Sequence, residues 1–464
     1  MHHGGRFPTS MLLHPLVRWI GRRALRWFYR DLVIVGAHRI PPAGPLLLIG
    51  NHPNDLPDVL IGFLATARPV RYVATSAAAT SLLVRWTYRG LGVIPVTRVR
   101  DARKMRARGV DVSTANRVAF QRVTGALATG DVIGVFPEGG VHAGPDIGPI
   151  RSGVAKLALE STLAGTVTGV HVVALGVQYE APDTPESDVL AVVGEPLSID
   201  RWLETAPDRP QAAFTLELRR MLEATSRTAI TAVEAVERDR TLAAMGASVI
   251  AEPNESPMEA AHRVHAAWHR LRLDPANVQA VDTLCDGTGD AGGRPTSAAD
   301  CQRVIQAASG ASRDNLPRLI ALAPLAATGL VLHAPAFAAS RWISERVSEA
   351  PSDRAARTIV PGLYLMFVWY ALLAALLALG LRRFTDAAAS SLPLVLVLVA
   401  GFVLMLPGLG DLAVAWRREL RAYQLDRRVR RLPESQRAAI RTSAHTLRAA
   451  WVSHLHGFAV SALA

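Results

Sequence analysis

Pro45-Leu46-Leu47-Leu48-Ile49-Gly50-Asn51-His52-Pro53-Asn54-Asp55-Leu56-Pro57-Asp58 decides how this chain reads. An unbroken apolar run delivers the chain to His52, and a second, Val59 to Ala65, leads away. A histidine thus lies between a buried strand and a helix, with two carboxylates close behind. Short apolar runs bounded by turn residues, here Pro41-Pro42-Ala43-Gly44-Pro45, read as strands. Working outward, Asp31–Val35, Leu46–Ile49, Val70–Val73, Val93–Val96, Val132–Phe136, Val170–Tyr179 and Val189–Val193 have this character. Helix-like runs at Asp58–Leu64, Ser81–Arg89, Ser113–Ala128 and Ser152–Leu163 separate most of them. The alternation predicts an α/β fold with a mixed, partly parallel sheet flanked by helices. Such sheets carry their chemistry in the loops at the strand ends.

The 464 residues suffice for two or three domains. Half of them are apolar and the mean hydropathy is +0.20, raised mainly by the C-terminal third. Net charge is +12, which suits nucleic acid, anionic lipid or phosphorylated substrates. No zinc-finger spacing, RNP-like sequence or basic-zipper pattern is present, so no nucleic-acid partner is expected. Cys285 and Cys301 are the only cysteines and have no Cys-x-x-Cys spacing, which points to a reduced cytosolic setting. The Gly/Asp/Thr-rich stretch from Cys285 to Ser297 reads as a loop. No apolar core followed by a small-residue cleavage site opens the chain, so a signal peptide is not expected.

Two segments, 358–381 and 388–410, contain no charged residue, and each exceeds the roughly 20 residues that cross a hydrocarbon core. With Arg382, Arg383 and Asp386 between them they predict a transmembrane helical hairpin. A third uncharged stretch, 319–340, is interrupted by Pro324, His333 and Pro335 and is expected to be interfacial or re-entrant. Arginines flank the hairpin on both sides, which predicts a multi-pass membrane protein with its catalytic domain facing the cytoplasm. Leu12 to Arg30 predicts an amphipathic helix, with Arg18, Arg22, Arg26 and Arg30 in a row beside an apolar stripe, suited to a membrane surface. The organisation expected is a surface helix at 1–35, an α/β domain at 36–200, a helix-rich region at 201–315, a membrane region at 316–416 and a basic helical tail at 417–464.

Four constellations can do chemistry. His52 is a general base at neutral pH if a carboxylate, Asp55 or Asp58, fixes its tautomer; helical capping is the plain alternative for Asp58. Phe136-Pro137-Glu138-Gly139-Gly140 follows the strand at 132–136 and makes a close-approach loop, with Glu138 placed to orient a hydroxyl. Arg98, after Gly92-Val93-Ile94-Pro95-Val96-Thr97, and Arg151, before a helix start, are phosphate contacts by type.

In order and spacing these blocks resemble the glycerolipid acyltransferase family. That family's first block is His-x4-Asp; Asn51-His52 with Asp58 is His-x5-Asp, like the branch holding fungal-type glycerol-3-phosphate or dihydroxyacetone-phosphate acyltransferases and bacterial relatives. The third block resembles Phe136 to Gly140 with His142. Val172-Val173-Ala174-Leu175-Gly176 lacks the usual proline, and Thr75 stands where many members carry lysine. The likeness covers about residues 15–200, and Leu332-His333-Ala334-Pro335 with the hairpin is also similar to that branch. The resemblance implies His52 as base, Asp58 as its partner, and Arg98, Glu138, Gly139 and Arg151 on the acyl acceptor and its phosphate. Asn51, Thr97, Gly140 and His142 are secondary candidates. It implies an acyl-CoA or acyl-carrier-protein donor, a glycerophosphate acceptor, membrane lipid around the protein, no bound cofactor and no metal. A lysophospholipid acceptor, or a non-catalytic lipid-binding role, are the alternatives.

Overall fold

The computed structural model describes residues 14–75, 89–97, 102–107, 109, 111–141, 147–182, 184–226, 235–249, 260, 264, 271, 273–288, 297–311, 315–347, 354–384 and 392–461. Most of the helix predicted at 81–89, and the candidates Arg98 and His142, lie outside the described residues. The chain divides into two compact units. One holds residues up to 25, 32–182 and 189–232, and the other holds 26–31, 183–188 and 233–464.

In the first unit, strands β1 (Asp31–Val35), β2 (Leu46–Gly50), β3 (Val70–Thr75), β4 (Ile94–Val96), β5 (Val132–Val135), β6 (His171–Tyr179), β7 (Asp188–Val193) and β8 (Leu197–Ser198) form one sheet. Its order is β1-β7-β6-β2-β5-β3-β4, with β8 beside β6. β2 runs parallel to both β5 and β6, and β3 parallel to β5 and β4, whereas β7 and β8 are antiparallel to β6. The predicted mixed sheet is therefore present. β2 is buried along its whole length because it is central, which is why it reads as an unbroken apolar run rather than an alternation.

Helices α1 (His14–Phe28), α2 (Asp55–Ala65), α3 (Ala102–Ala107), α4 (Val112–Ala128), α5 (Ser152–Leu163), α6 (Ile199–Glu204) and α7 (Pro210–Thr225) accompany the sheet. One side packs Val123, Leu127, Leu157, Phe214 and Leu218 against Leu47, Ile49, Ile133 and Val172. α2 begins at Asp55, three residues before the predicted start, because proline is tolerated in a first turn, where N–H groups have no intrahelical partner. Early in α1, Gly21 lies against Leu60 and Arg18 donates to the Phe63 carbonyl, while Leu16 and Trp19 are exposed.

The second unit is helical. Helices α8 (Ala235–Ser248), α9 (Pro275–Thr288) and α10 (Ala298–Ala308) precede three long apolar helices, α11 (Leu316–Val347), α12 (Arg354–Phe384) and α13 (Leu392–Arg430), and α14 (Glu434–Ser461) follows. The loop expected from Cys285 is helix as far as Thr288, since Cys285 and Leu284 are core residues and Gly287 allows Val304 and Ile440 close approach. The stretch 319–340, expected to be interfacial or re-entrant, is one continuous helix. Pro324 and Pro335 do not break it, and it joins α12 and α13 as a helix long and apolar enough to cross a membrane. Residues before α11 (Met245, Leu284, Val304) and after the apolar part of α13 (Val429, Ile440, Leu447, Trp451) share one hydrophobic core. Arg30 grips Asp188 through two bonds of 2.8 and 2.6 Å, Glu186 pairs with Arg417 and Arg421, and Arg418 donates to the carbonyls of Arg26, Tyr29 and Arg30.

Candidate active site

β2, β5 and β6 run parallel and end at one edge, so the loops that follow them meet there. His52 lies two residues past β2, and its Nδ1 is 2.9 Å from Asp58 Oδ2. The turn Pro53–Asn54 and the first turn of α2 bring the carboxylate back to the Nδ1 edge of the ring. Oδ2 also accepts the Asn54 backbone N–H at 2.8 Å, and Oδ1 accepts the Tyr179 hydroxyl at 2.6 Å. Asp58 is 1% exposed, so protein donors take the place of water around it. With the carboxylate as acceptor, Nδ1 carries the proton and Nε2 keeps a lone pair. Asp55, exposed and at φ 38°, has no bond to His52 among those described.

Glu138 reaches the same point from the end of β5. Its Oε1 accepts the His52 backbone N–H at 2.9 Å and its Oε2 accepts the Gly148 N–H at 2.7 Å. The carboxylate expected on a substrate hydroxyl is thus bound to two backbone amides, one of them belonging to the candidate base. Gly139 adopts φ 75°, a conformation that favours glycine, and the Arg151 side chain lies beside it. The Arg151 backbone N–H donates to Pro137, leaving an exposed guanidinium next to the loop. Gly140 follows, partly exposed. Asn51 bridges β2 to β6 by exchanging two bonds with Val177, at 2.8 and 2.7 Å. Thr97 sits at the end of β4, where the Asn116 side chain clamps both its N–H and its carbonyl. Asn51 and Thr97 therefore hold the frame. Among the described residues no cluster of His, Cys, Asp and Glu has the arrangement of a metal site.

Aromatic packing completes the site. The His52 ring stacks on Phe136 at 3.9 Å between centroids and 6° between planes, and Phe136 stacks in turn on Tyr72. Gly50 leaves room for Phe136 and Gly134 for the Tyr72 ring. Burial, then the negative charge of Asp58, push the Tyr72 phenol well above its ordinary range, so it stays protonated. The Tyr72 hydroxyl occupies the space where a side chain at Gly62 would stand. Gly62→Ala is expected to cost about 3 kcal/mol from overpacking. Tyr72→Phe in the same chain is expected to restore most of it, read as melting temperatures of the two single variants and the double.

Residues 31–178 match the family model described as Acyltransferase. Residues 31–178 are thus an acyltransferase-family domain. Glycerol-3-phosphate O-acyltransferase 2 of Saccharomyces cerevisiae is 34% identical over 107 residues, which is 23% of this chain and 14% of that protein. An uncharacterized acyltransferase of Schizosaccharomyces pombe is 25% identical over 258 residues, 39% of this chain and 38% of that protein. The chain therefore spans well under half the length of these curated relatives. Among solved structures, the 1-acyl-sn-glycerophosphate acyltransferase PlsC of Thermotoga maritima is similar at 17% identity and a TM-score of 0.35, covering 48% of this chain and 83% of that one.

Within the acyltransferase domain, His52, Asp58 and Glu138 form one bonded group, and Gly139 and Arg151 adjoin it. Sequence reasoning missed Tyr179, Asn54 and Phe136 as parts of the site. Tyr179 ends a strand that was recognised, but nothing local says that this strand lies beside β2.

Proposed function

We propose that this protein is a membrane-associated O-acyltransferase that moves a fatty acyl group from acyl-CoA or acyl-carrier protein to a hydroxyl of glycerol-3-phosphate or a related glycerophosphate. The observation that carries the reading is the His52 Nδ1–Asp58 bond, in an acyltransferase-family domain with a relative named glycerol-3-phosphate O-acyltransferase. His52 Nε2 takes the proton of the acceptor hydroxyl as its oxygen attacks the thioester carbonyl. Asp58 stabilises the imidazolium that results. The tetrahedral adduct collapses, the carbon–sulfur bond breaks, and the thiol leaves with the proton from Nε2. Arg151, beside Gly139, and Arg98 hold the acceptor phosphate in this reading, turning binding energy into orientation. Glu138 serves the reaction by holding the backbone of His52.

In the same reading the catalytic domain faces the cytoplasm. Helices before α11 and after α13 pack into one core, which supports a reading with both flanks of the apolar region on one side and an even number of crossings between them. Two crossings satisfy both this and the arginine-rich flanks. The test of function is an acceptor panel of glycerol-3-phosphate, dihydroxyacetone phosphate, lysophosphatidic acid and neutral lysophospholipids, each with both thioester donors. Thioester-dependent acylation of glycerol-3-phosphate or dihydroxyacetone phosphate is the expected result. Preference for lysophosphatidic acid would move the acceptor one acylation later, and inactivity on every pair would sink the reading.

A further inference from the structure

We infer that Tyr179 is a positioning residue for the His52–Asp58 pair; this rests on the reading of that pair as base and partner. Tyr179 is the last residue of β6, which lies parallel to β2 with Gly50 opposite Leu175. Its hydroxyl donates to Asp58 Oδ1 at 2.6 Å, the short range of a hydrogen bond to a charged acceptor. The other oxygen, Oδ2, takes His52 Nδ1 and the Asn54 amide. A carboxylate held on one oxygen only can turn about its last bond. Held on both, it keeps Oδ2 aimed at the imidazole.

The hydroxyl has a second effect. It draws negative charge towards Oδ1, so Asp58 pulls less strongly on the Nδ1 proton. Loss of the phenol therefore strengthens the hold of Asp58 on that proton. Among the described residues, the ionisable groups that reach the pair from other elements include Tyr72 from β3, whose burial keeps it protonated, and Glu138 from the loop after β5, which reaches His52 through its backbone N–H. Neither is removed by a change at position 179. The phenol sits on a neighbouring strand 121 positions away from Asp58, so it couples the sheet itself to the catalytic turn.

The test is Tyr179→Phe in the full chain, which keeps the ring. Two readouts are taken across pH: kcat, and the rate at which diethyl pyrocarbonate modifies His52, followed by peptide mass. The acid limb of kcat and the half-point of modification are expected to move up together by about half a unit to one unit, since a hydrogen bond to a charged group is only partly transmitted to the ring. At pH 7 kcat is expected to fall about tenfold, with the acceptor KM unchanged. In an Asp58→Asn background the same change is expected to alter the rate less than about twofold, because the residue acts through Asp58. An unmoved modification half-point overturns the inference. If the phenylalanine variant fails to fold, 3-fluorotyrosine at 179 is a stronger donor and moves the half-point down; no movement again overturns it. Modification does not require turnover. A wild-type chain inactive on every acceptor therefore sinks the acyltransferase reading, while the Tyr179 result stands separately.

Discussion

His52→Ala lowers thioester-dependent acyl transfer by about 10³-fold, the middle of the range for loss of a positioned general base. The acceptor KM is expected to change little, because in the proposed mechanism the ring acts on the proton in flight and other residues hold the phosphate. The fold is expected to survive. Asp58 keeps the Asn54 amide and the Tyr179 hydroxyl as donors, so its buried carboxylate is not orphaned. The loss on the stability side is the stacking contact with Phe136, worth about 1 kcal/mol beyond its area. Rates measured with a functional donor and acceptor pair, beside a melting curve, separate the two effects. Wild-type turnover in this variant would remove His52 from the mechanism.

Glu138→Ala is expected to damage stability and activity together. Two backbone amides, the partly buried one of His52 and the buried one of Gly148, lose their carboxylate acceptor. Each unsatisfied N–H costs about 2 kcal/mol, so the site loses about 4 kcal/mol. For a unit of this size the melting temperature falls by roughly 10 °C. Release of the His52 backbone displaces the base, and a misplacement near 1 Å costs about 10²-fold in rate. Glu138→Gln retains one acceptor atom and sets an amide NH2 against the other N–H, so it should fall between wild type and alanine in both readouts. A residue that only bound the acceptor would behave differently. It would raise KM in the glutamine variant and leave the melting temperature unchanged. That pattern would return Glu138 to the substrate.

The contrast between these two residues shows where local sequence stops being informative. His52 and Asp58 are six positions apart, and a turn followed by a helix start is enough to join them. The segment offered Asp55 as well as Asp58, and only the family resemblance named Asp58 before the structure placed it at 2.9 Å from Nδ1. Glu138 was legible as a site residue from its place after a strand, but its partners lie 86 positions back and 10 positions on, and only strand order decides who they are. Strand order is a property of the whole sheet: β2 is flanked by β5 and β6, neither of them adjacent to it in sequence. The same holds for Tyr179, whose position as the last residue of a strand says nothing of the strand beside it.

In the helical unit the boundary falls at the same place. Apolar length announced α12 and α13, because crossing hydrocarbon requires about 20 apolar residues in a row. It left α11 open, since two prolines and a histidine admit both a broken and a continuous helix. Packing resolved the continuity. His333 donates from Nδ1 to the Gly329 carbonyl at 2.7 Å and accepts the Tyr370 hydroxyl at 2.8 Å on Nε2, so a polar residue in an apolar stretch is fully satisfied by its own helix and the neighbouring one.

By itself, then, the sequence determined the alternation of strands and helices and the apolar helices, which follow from interactions within a few turns of chain; for the partner of His52 it offered Asp55 or Asp58, and the family resemblance chose Asp58. Tertiary structure alone decided that Tyr179 and Glu138 brace that pair, that Asn51 and Thr97 hold the frame, and that the flanks of the apolar region share a core. Those outcomes depend on which distant segments become neighbours, and burial of the whole sheet, rather than the preference of any one stretch, makes that choice.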